Sequence, residues 1–434
     1  MNAAAWEVIV LGGGPAGLLA AGRAAQCGAR TLLLEKMEKP ARKLRITGKG
    51  RCNLTNLRPL EAHLAEIHPE PRFLRSAFQA FFNQDLIDLL EAQGVPTVVE
   101  RGDRVFPASG RAWDAAEALV AWAKAQGAVI RVKAPVEALE VVEGRIAGVR
   151  LASGERLEAK ALVVATGGCS YPATGSTGDG FRFAEATGHR VTALRPSLVG
   201  LATRPALAAA AGLKLRNVAL TLWIEGKKKA TEFGEAEFTA QGLSGPIALR
   251  LSRAVVESLA AGQTVELTLD LKPALEAATL EARLDREAAT RRTVGEQLRG
   301  LLPAPLVPVY GQRLDLPLGA PAVRLQGAPR RRLLALLKAL PFTVTGHGGW
   351  EEAIVTAGGI ALADLDPRTL ASRRILGLHF AGEVLDLDAN TGGYNLQIAC
   401  STGWLAGQSA AEWVQEGSPR RHGEHGEKME KRKI

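Results

Sequence analysis

The sequence predicts an α/β fold: an open, mostly parallel sheet of the dinucleotide-binding kind, discontinuous in the chain and split by an insert. Three observations predict it. A strand–glycine turn–helix–strand unit opens the chain, a second glycine turn follows an apolar strand near residue 165, and strands ending in glycine turns return after residue 346, beyond a stretch of different texture.

The opening unit is the most specific. Val8-Ile9-Val10-Leu11 is a continuous apolar run, as expected of a strand buried on both faces. Gly12-Gly13-Gly14-Pro15-Ala16-Gly17 follows, then an alanine- and leucine-rich helical segment to Gln26, and a second apolar strand Thr31–Leu34 closed by Glu35. This is G-x-G-x-x-G inside a βαβ unit, the Rossmann arrangement. Gly12 permits the tight turn, Gly14 lets backbone approach a pyrophosphate, and Gly17 lets helix and strand pack closely. Pro15 and Ala16 open the helix, whose N-terminus presents unpaired N–H groups to phosphates. Glu35 stands where a carboxylate holds both hydroxyls of an adenosine ribose, which favours FAD or NAD over NADP, although Lys36 beside it works against that exclusion. This unit alone leaves FAD and NAD open.

The bulk numbers exclude several classes. A chain of 434 residues predicts two or three domains, and 47% hydrophobic with 23% charged residues is ordinary for a globular protein. Cys27, Cys52, Cys169 and Cys400 lie far apart with no C-x-x-C, which argues against a zinc site or disulfide framework and fits a reducing compartment. No apolar run reaches membrane-spanning length and no signal peptide is visible, so the expectation is a cytoplasmic protein without membrane contact. The net charge is +9 and is concentrated: residues 36–51 hold seven Lys/Arg and one acid, and residues 280–338 hold eleven Lys/Arg and five acids, with Arg330-Arg331-Arg332 the densest point. Such stretches predict anionic partners, cofactor phosphates for the first and nucleic acid for the second; a solvated helix face accounts equally well for the second.

Along the chain, Lys36–Asn56 reads as an ordered loop with short helical pieces. Cys52 sits in it beside Arg51, where flanking cations lower a thiol pKa; a small packing residue is the plainer alternative. Phe73–Gln93 has helical spacing, Val95–Val105 reads as a strand pair, and Ala112–Gln126 as a helix. Pro135–Leu151 reads as a hairpin turning at Glu143-Gly144. The strand Ala161–Ala165 ends in Thr166-Gly167-Gly168, and a helix is expected over Phe181–Gly188. An A-T-G-G turn after an apolar strand, behind G-x-G-x-x-G and a β-ribbon, is typical of two-dinucleotide-binding-type FAD domains, in which the chain passes back under the cofactor. Residues 191–345 form the insert: a small antiparallel sheet or barrel over about 191–272 and a helical part over about 273–340, with Leu275–Leu302 and Arg330–Leu340 as helices. The nucleotide fold occupies 1–190 and 346–416, its last helix following Gly392-Gly393, and 417–434 reads as a disordered tail. No second G-x-G-x-x-G exists, since Gly346-His347-Gly348 fails at Glu351. One dinucleotide is expected, and the discontinuous fold favours FAD.

At this point the chain resembles the BaiN-like flavoproteins, also known as the Haemophilus hypothetical flavoprotein family. The resemblance runs from Val8 to about Ala411, carried by GGGPAG at 12–17, RKLRITGKGRCNLTN at 42–56, ATGG with YPATGSTGDG at 165–180, EFTAQGLSGP at 237–246, VTAGGI at 355–360 and FAGEVLDLDANTGGYNLQIACSTG at 380–403. It implies bound FAD and an insert made of a small barrel plus a helical piece. Carried over by position, Gly12, Gly14, Pro15, Ala16, Gly17, Glu35 and Lys36 surround the ADP half. Lys43, Gly50, Arg51 and Asn53 approach the pyrophosphate or flavin. Val136, Ala165, Thr166 and Gly167 run beneath the cofactor, and Gly382, Glu383, Gly393, Asn395 and Leu396 hold the ribityl chain and flavin. Some relatives carry cysteine where this chain has Thr391, leaving Cys52 as the thiol candidate; Cys52 and Tyr394 are the expected proton donors. The family's activities, all through flavin N5, are reduction of conjugated steroid enones, dihydrouridine formation in ribosomal RNA, and oxidation of aminoacetone. The expectation is therefore an FAD-dependent oxidoreductase reducing a conjugated C=C of an enone or uracil, with NAD(P)H as a diffusible donor and rRNA contact through the basic insert. A flavin amine oxidase and a non-catalytic, flavin-bound RNA-binding or redox-sensing factor are the alternatives.

Overall fold

The structure, a computed structural model, describes residues 5–416, so the tail expected at 417–434 lies outside the described residues. The chain divides into two compact units: residues up to Leu194 together with those from Gly358 onward, and Arg195–Ala357.

In the first unit β1 (Trp6–Leu11) and β2 (Thr31–Leu34) run parallel, with Val8 beside Thr31 and Leu11 beside Leu34. Both are buried where the sequence is continuously apolar, as parallel strands covered on both faces must be. α1 (Pro15–Gln26) connects them. α2 (Arg42–Gly50) is helical only to Ile46, because Thr47 turns to ψ 150° and Gly48 and Lys49 are left-handed. The helix expected over Phe73–Gln93 is broken into Pro71–Leu74, Arg75–Ala80 and Asn83–Ala92. Phe81 and Phe82 are extended, which sends successive side chains to opposite sides. Phe81 stacks on Trp404 and Phe82 meets His63, while Asp85 accepts from the Phe82 N–H and restarts the helix.

α3 (Ala112–Ala125) leads to β3 (Val129–Arg131), parallel to β2. β4 (Val136–Val142) and β5 (Arg145–Leu151) form the expected ribbon, turning at Glu143 and Gly144 with φ +51° and +73°, the two left-handed positions a tight hairpin requires. β6 (Arg156–Val164) serves two partners: its first residues pair antiparallel with β5 and its later ones parallel with β1, Leu11 beside Val164. α4 (Asp179–Ala186) starts two residues earlier than expected, directly after Gly178.

The second unit holds a closed barrel: β7 (Leu201–Arg204), β8 (Lys214–Ile224), β9 (Lys227–Phe238), β10 (Gly242–Ser244), β11 (Val265–Asp270) and β12 (Leu340–His347), in the order β7-β10-β9-β8-β11-β12 and back to β7. The strand that closes it comes from beyond the helical stretch, not from within 191–272. β12 alternates cleanly, Leu340, Phe342 and Val344 in and Pro341 and Thr343 out. α5 (Pro246–Ala260) packs on the barrel. α6 (Ala277–Thr290), α7 (Val294–Arg299), α8 (Val307–Leu314) and α9 (Ala328–Lys338) lie between β11 and β12 in the chain and share the barrel's core. The single helix expected over Leu275–Leu302 is divided where Thr293 and Glu296 make a capping box. The strand Val355–Ala357 pairs with Arg195–Ser197 in this unit, not with the returning nucleotide fold.

Back in the first unit, β13 (Leu378–Phe380) pairs parallel with β6, giving the order β3-β2-β1-β6-β5-β4 with β13 also on β6. α10 (Tyr394–Gln415) packs along α1 at unusually close range. A Cβ on Gly403 would lie 2.2 Å from the Ala16 carbonyl oxygen, and one on Gly407 2.2 Å from that of Ala20. Among the described residues no helix is long and apolar enough to cross a membrane.

Candidate functional site

Leu11 pairs with both Leu34 and Val164, so β1, β2 and β6 end side by side. The turns leaving such strand ends form a crevice. Here it encloses about 910 Å³ including its mouth, a volume suited to a cofactor.

The glycine turn forms one wall. Gly12 has φ +99°, and a Cβ there would lie 2.5 Å from the Ala165 carbonyl oxygen. A Cβ on Gly17 would lie 1.8 Å from the Gly12 oxygen, so Gly17 supports the turn from behind. At Gly14 nothing lies within 4 Å, because that side faces the crevice. Pro15 occupies the first helical position, where its missing N–H costs nothing, and the first turn of α1 aims its dipole at the space. Glu35, at the end of β2, is fixed by two backbone donors: Gly13 N–H to Oε2 at 2.7 Å and Met37 N–H to Oε1 at 2.7 Å. Each oxygen keeps a further lone pair for a ligand hydroxyl. Lys36 donates to Thr177 and to Asp179 Oδ2, the latter at 2.6 Å, and so ties this wall to the start of α4.

Ala165, Thr166 and Gly167 line the opposite wall, Gly167 at φ +77°. Thr166 Oγ1 is buried and has no partner among the described residues, the kind of orphan a polar ligand satisfies. Val136 contributes from the start of β4. At one end Lys43 Nζ donates to Ser170 Oγ at 2.5 Å and Glu383 Oε2 at 2.7 Å, and Ser170 Oγ donates to Glu383 Oε1 at 2.7 Å. The crevice therefore offers an anion-binding helix end, a carboxylate, an unsatisfied hydroxyl and a held ammonium. That donor set fits the pyrophosphate and ribose of a dinucleotide. Sequence reasoning missed Gly13, Lys39, Arg42, Ser176 and Asp179, which also line it. The last two lie in the TGSTGDG stretch, whose density of glycines was the available signal.

The chain was compared with known proteins. The HI0933-like protein Rossmann domain family matches residues 6–409. The chain belongs to this family. Its relatives include a 3-dehydro-bile acid Δ(4,6)-reductase of Clostridium scindens, 32% identical over 93% of this chain and 98% of that one. A ribosomal RNA dihydrouridine synthase of Escherichia coli is 31% identical over 93% and 97%. In fold the chain is similar to a 3-ketosteroid Δ1-dehydrogenase from Sterolibacterium denitrificans, at TM-score 0.50 and 15% identity over 94% of this chain and all of the other.

In this HI0933-like protein the remaining expected site residues do not line the crevice. Gly50, at φ +85°, finishes the irregular end of α2. Arg51 pairs with Glu100 and lies over the Phe106 ring. The Asn53 amide, oriented by its hydrogen-bond network, accepts from Gly393 N–H at 3.0 Å and donates to the Thr55 carbonyl at 3.1 Å. Gly393 is packed so closely on Thr55 that a Cβ would lie 2.5 Å from its carbonyl. Asn395 clamps Ala389 through both its N–H and its carbonyl, at 2.9 and 2.6 Å. Gly382 donates to Thr402 Oγ1 at 2.9 Å and abuts Ala16, and Leu396 packs against the core. These residues build the turn before α10.

The structure buries both expected proton donors. Cys52 has 0% exposure, and burial pushes its thiol up to about 12, only partly offset by a hydrogen bond with Thr47. Arg51, the cation meant to lower it, points to Glu100 instead. Tyr394 is 3% exposed, with its ring edge-on to His63 at 4.9 Å and against Gly392. Both side chains are packed into the core of the first unit.

Proposed function

We propose that this FAD-dependent oxidoreductase reduces an activated carbon–carbon double bond of the enone or uracil type. The carrying observation is the crevice where Gly14, Glu35, Thr166 and the Lys43–Ser170–Glu383 cluster converge. The names of the relatives support the reaction type, since one describes a bile-acid reductase and the other the making of dihydrouridine, a reduced uridine. FAD, when bound, supplies hydride chemistry at flavin N5.

The chain's own residues bind and orient. The α1 N-terminus and the open face of Gly14 receive the pyrophosphate. Glu35 accepts from the adenosine ribose hydroxyls, and Thr166 offers its hydroxyl to a polar atom of the cofactor. Lys43 holds an ammonium at the crevice wall, where Ser170 and Glu383 fix its position and its charge can offset a developing negative charge. With one G-x-G-x-x-G in the sequence, NAD(P)H serves as a diffusible donor.

The test is anaerobic rapid mixing of the purified yellow protein with NADH and NADPH, then with a steroid enone or a uridine-containing RNA. Bleaching of the flavin by the pyridine nucleotide and its return with the acceptor, with slow return in air, are the expected results. Peroxide release with a small aminoketone, without acceptor reduction, would replace this reading by an amine oxidase.

A further inference from the structure

The outer wall of the barrel carries a second built surface. Direct cross-strand partners project from the same side of a sheet. Trp223 on β8 is opposite Lys228 on β9 and opposite Glu266 on β11; Glu266 is opposite Thr343 on β12, and Thr343 is opposite Arg204 on β7. These five residues form one lateral row across five strands, spanning about 19 Å of wall at ~4.8 Å per strand. Lys228, Glu266, Thr343 and Arg204 are exposed and Trp223 half-buried, so the row faces outward. A second row, Thr231, Thr221, Thr268 and Pro341, runs beside it.

A groove of about 680 Å³, including its mouth, runs over the first row from Trp223 to Arg204 and over Thr268 and Pro341 of the second, and Arg313 of α8 lines it from outside the barrel. The Trp223 indole N–H donates to Thr268 Oγ1 at 3.0 Å, which fixes the ring on the wall. Neither Arg204 nor Arg313 has a carboxylate within ion-pair distance among the described residues. Some basic groups of the same unit are engaged internally: Arg330 pairs with Asp285, Lys338 with Asp270, and Arg283 donates to the Gly300 carbonyl. What sets Arg204 and Arg313 apart is the groove they share with the fixed aromatic ring.

We propose that this groove binds single-stranded nucleic acid, with a base stacked at Trp223 and phosphates drawn to Arg204 and Arg313. Stacking rings flanked by cations are what an unpaired strand recognises, because every base has a π-face and every linkage a charge. The threonine hydroxyls add donors and acceptors for sugar and base edges. Glu266, in the middle of the row, opposes phosphate there and confines the backbone to the ends. An acidic peptide meets the same charges but offers no ring to Trp223. The assignment rests on the reductase reading and deepens it, by choosing a polynucleotide over a free small molecule as the carrier of the double bond. Binding is measured without any reductant, so its failure and the failure of turnover are separate results.

The experiment is fluorescence anisotropy of a labelled twelve-residue oligouridylate with the full-length holoprotein over a salt series, against a duplex of equal length. The single strand is expected to bind more tightly than the duplex. The double substitution Arg204→Gln/Arg313→Gln should weaken it at least about tenfold and flatten the log K against log salt slope by roughly 1.4, two contacts at ~0.7 each. Trp223→Leu should weaken binding about tenfold with the slope unchanged, because stacking releases no counterions. Glu266→Gln should tighten binding, a gain no folding defect produces. The proposal is overturned by binding that these variants leave unchanged, by loss that follows Arg330→Gln/Arg331→Gln/Arg332→Gln instead, or by stronger competition from polyglutamate than from oligouridylate.

Discussion

At Cys52 the backbone has φ +59° and the side chain has no exposure, so the residue is held in a left-handed position inside the core. A buried thiol cannot trade its proton for solvated charge, and its pKa rises to about 12 from an ordinary 9.0. Two outcomes are expected. Iodoacetamide at pH 8 should leave Cys52 unlabelled in the native protein and label it in urea, as peptide mass mapping can read. Cys52→Ala should keep turnover within about twofold and cost about 1 kcal/mol of stability. The pH dependence has a definite sign. Between pH 9 and about 12 the unfolded thiol is ionised and the folded one is not, so the unfolded state binds fewer protons and stability falls as pH rises. The fall contributed by one such group approaches 1.4 kcal/mol per pH unit. Cys400, whose thiol burial also pushes up, contributes in the same direction. Urea titrations at pH 8 and 10 should therefore show a smaller loss for Cys52→Ala than for the unmodified chain. The basic neighbours of Cys52 are legible in the sequence, but the direction in which Arg51 points is decided by Glu100 and Phe106, roughly fifty residues away.

The element that sets the geometry of the crevice is the contact of α1 with α10. Glycines at 403 and 407, one turn apart on α10, let its backbone meet the Ala16 and Ala20 carbonyls, and Ala16 is itself in the crevice wall. Gly403→Ala should force the helices apart, costing about 1–3 kcal/mol as other overpacked cores do, and should displace the α1 N-terminus. Cofactor content after gel filtration should fall with the melting temperature. A variant that loses stability while keeping full cofactor content would show that α10 supports the core but not the crevice. The sequence reads α10 as an alanine-rich helix after a glycine pair, and that is right as far as local composition goes. Which glycines approach a neighbour is a property of two segments nearly 400 residues apart. The same limit explains β12, whose inward Leu340, Phe342 and Val344 are visible as alternation, but whose partners β7 and β11 lie across the helical stretch. The break at Phe81-Phe82 has the opposite origin: the helical period is present locally and is overridden by the separate destinations of two rings.

For the molecule as a whole, the parts of the site legible in the sequence are those where a short stretch makes a complete physical unit. The Gly12–Gly17 turn and Glu35 form such a unit: Gly13 is hydrogen-bonded to the carboxylate that closes the next strand, so turn, helix and acid are fixed together. Asn53, Gly393 and Asn395 do not, because the Asn53 amide is spent on the Gly393 and Thr55 backbone and the Asn395 amide on that of Ala389, which shapes a turn. This division gives a prediction about order of effects. Glu35→Gln replaces one acceptor oxygen by an NH₂ facing a backbone N–H, so it loses a bond within the turn and one toward the ribose. The loss of charge-assisted bonds is worth about 1.5–3 kcal/mol, or roughly 10- to 150-fold in cofactor affinity. The purified variant should have a lower ratio of flavin to protein absorbance than the unmodified chain and a melting temperature that rises on adding FAD. A ligand that binds only the folded state adds about 2.7 kcal/mol at one hundred times its dissociation constant, so the concentration at which the rise appears measures the affinity lost. Once refilled, the variant should show the same preference among acceptors as the unmodified chain, since the contact proposed for Glu35 is with the adenosine end. A variant that kept its flavin at full occupancy and changed its acceptor preference would place Glu35 beside the reacting atoms and overturn the assignment of that carboxylate to the ribose.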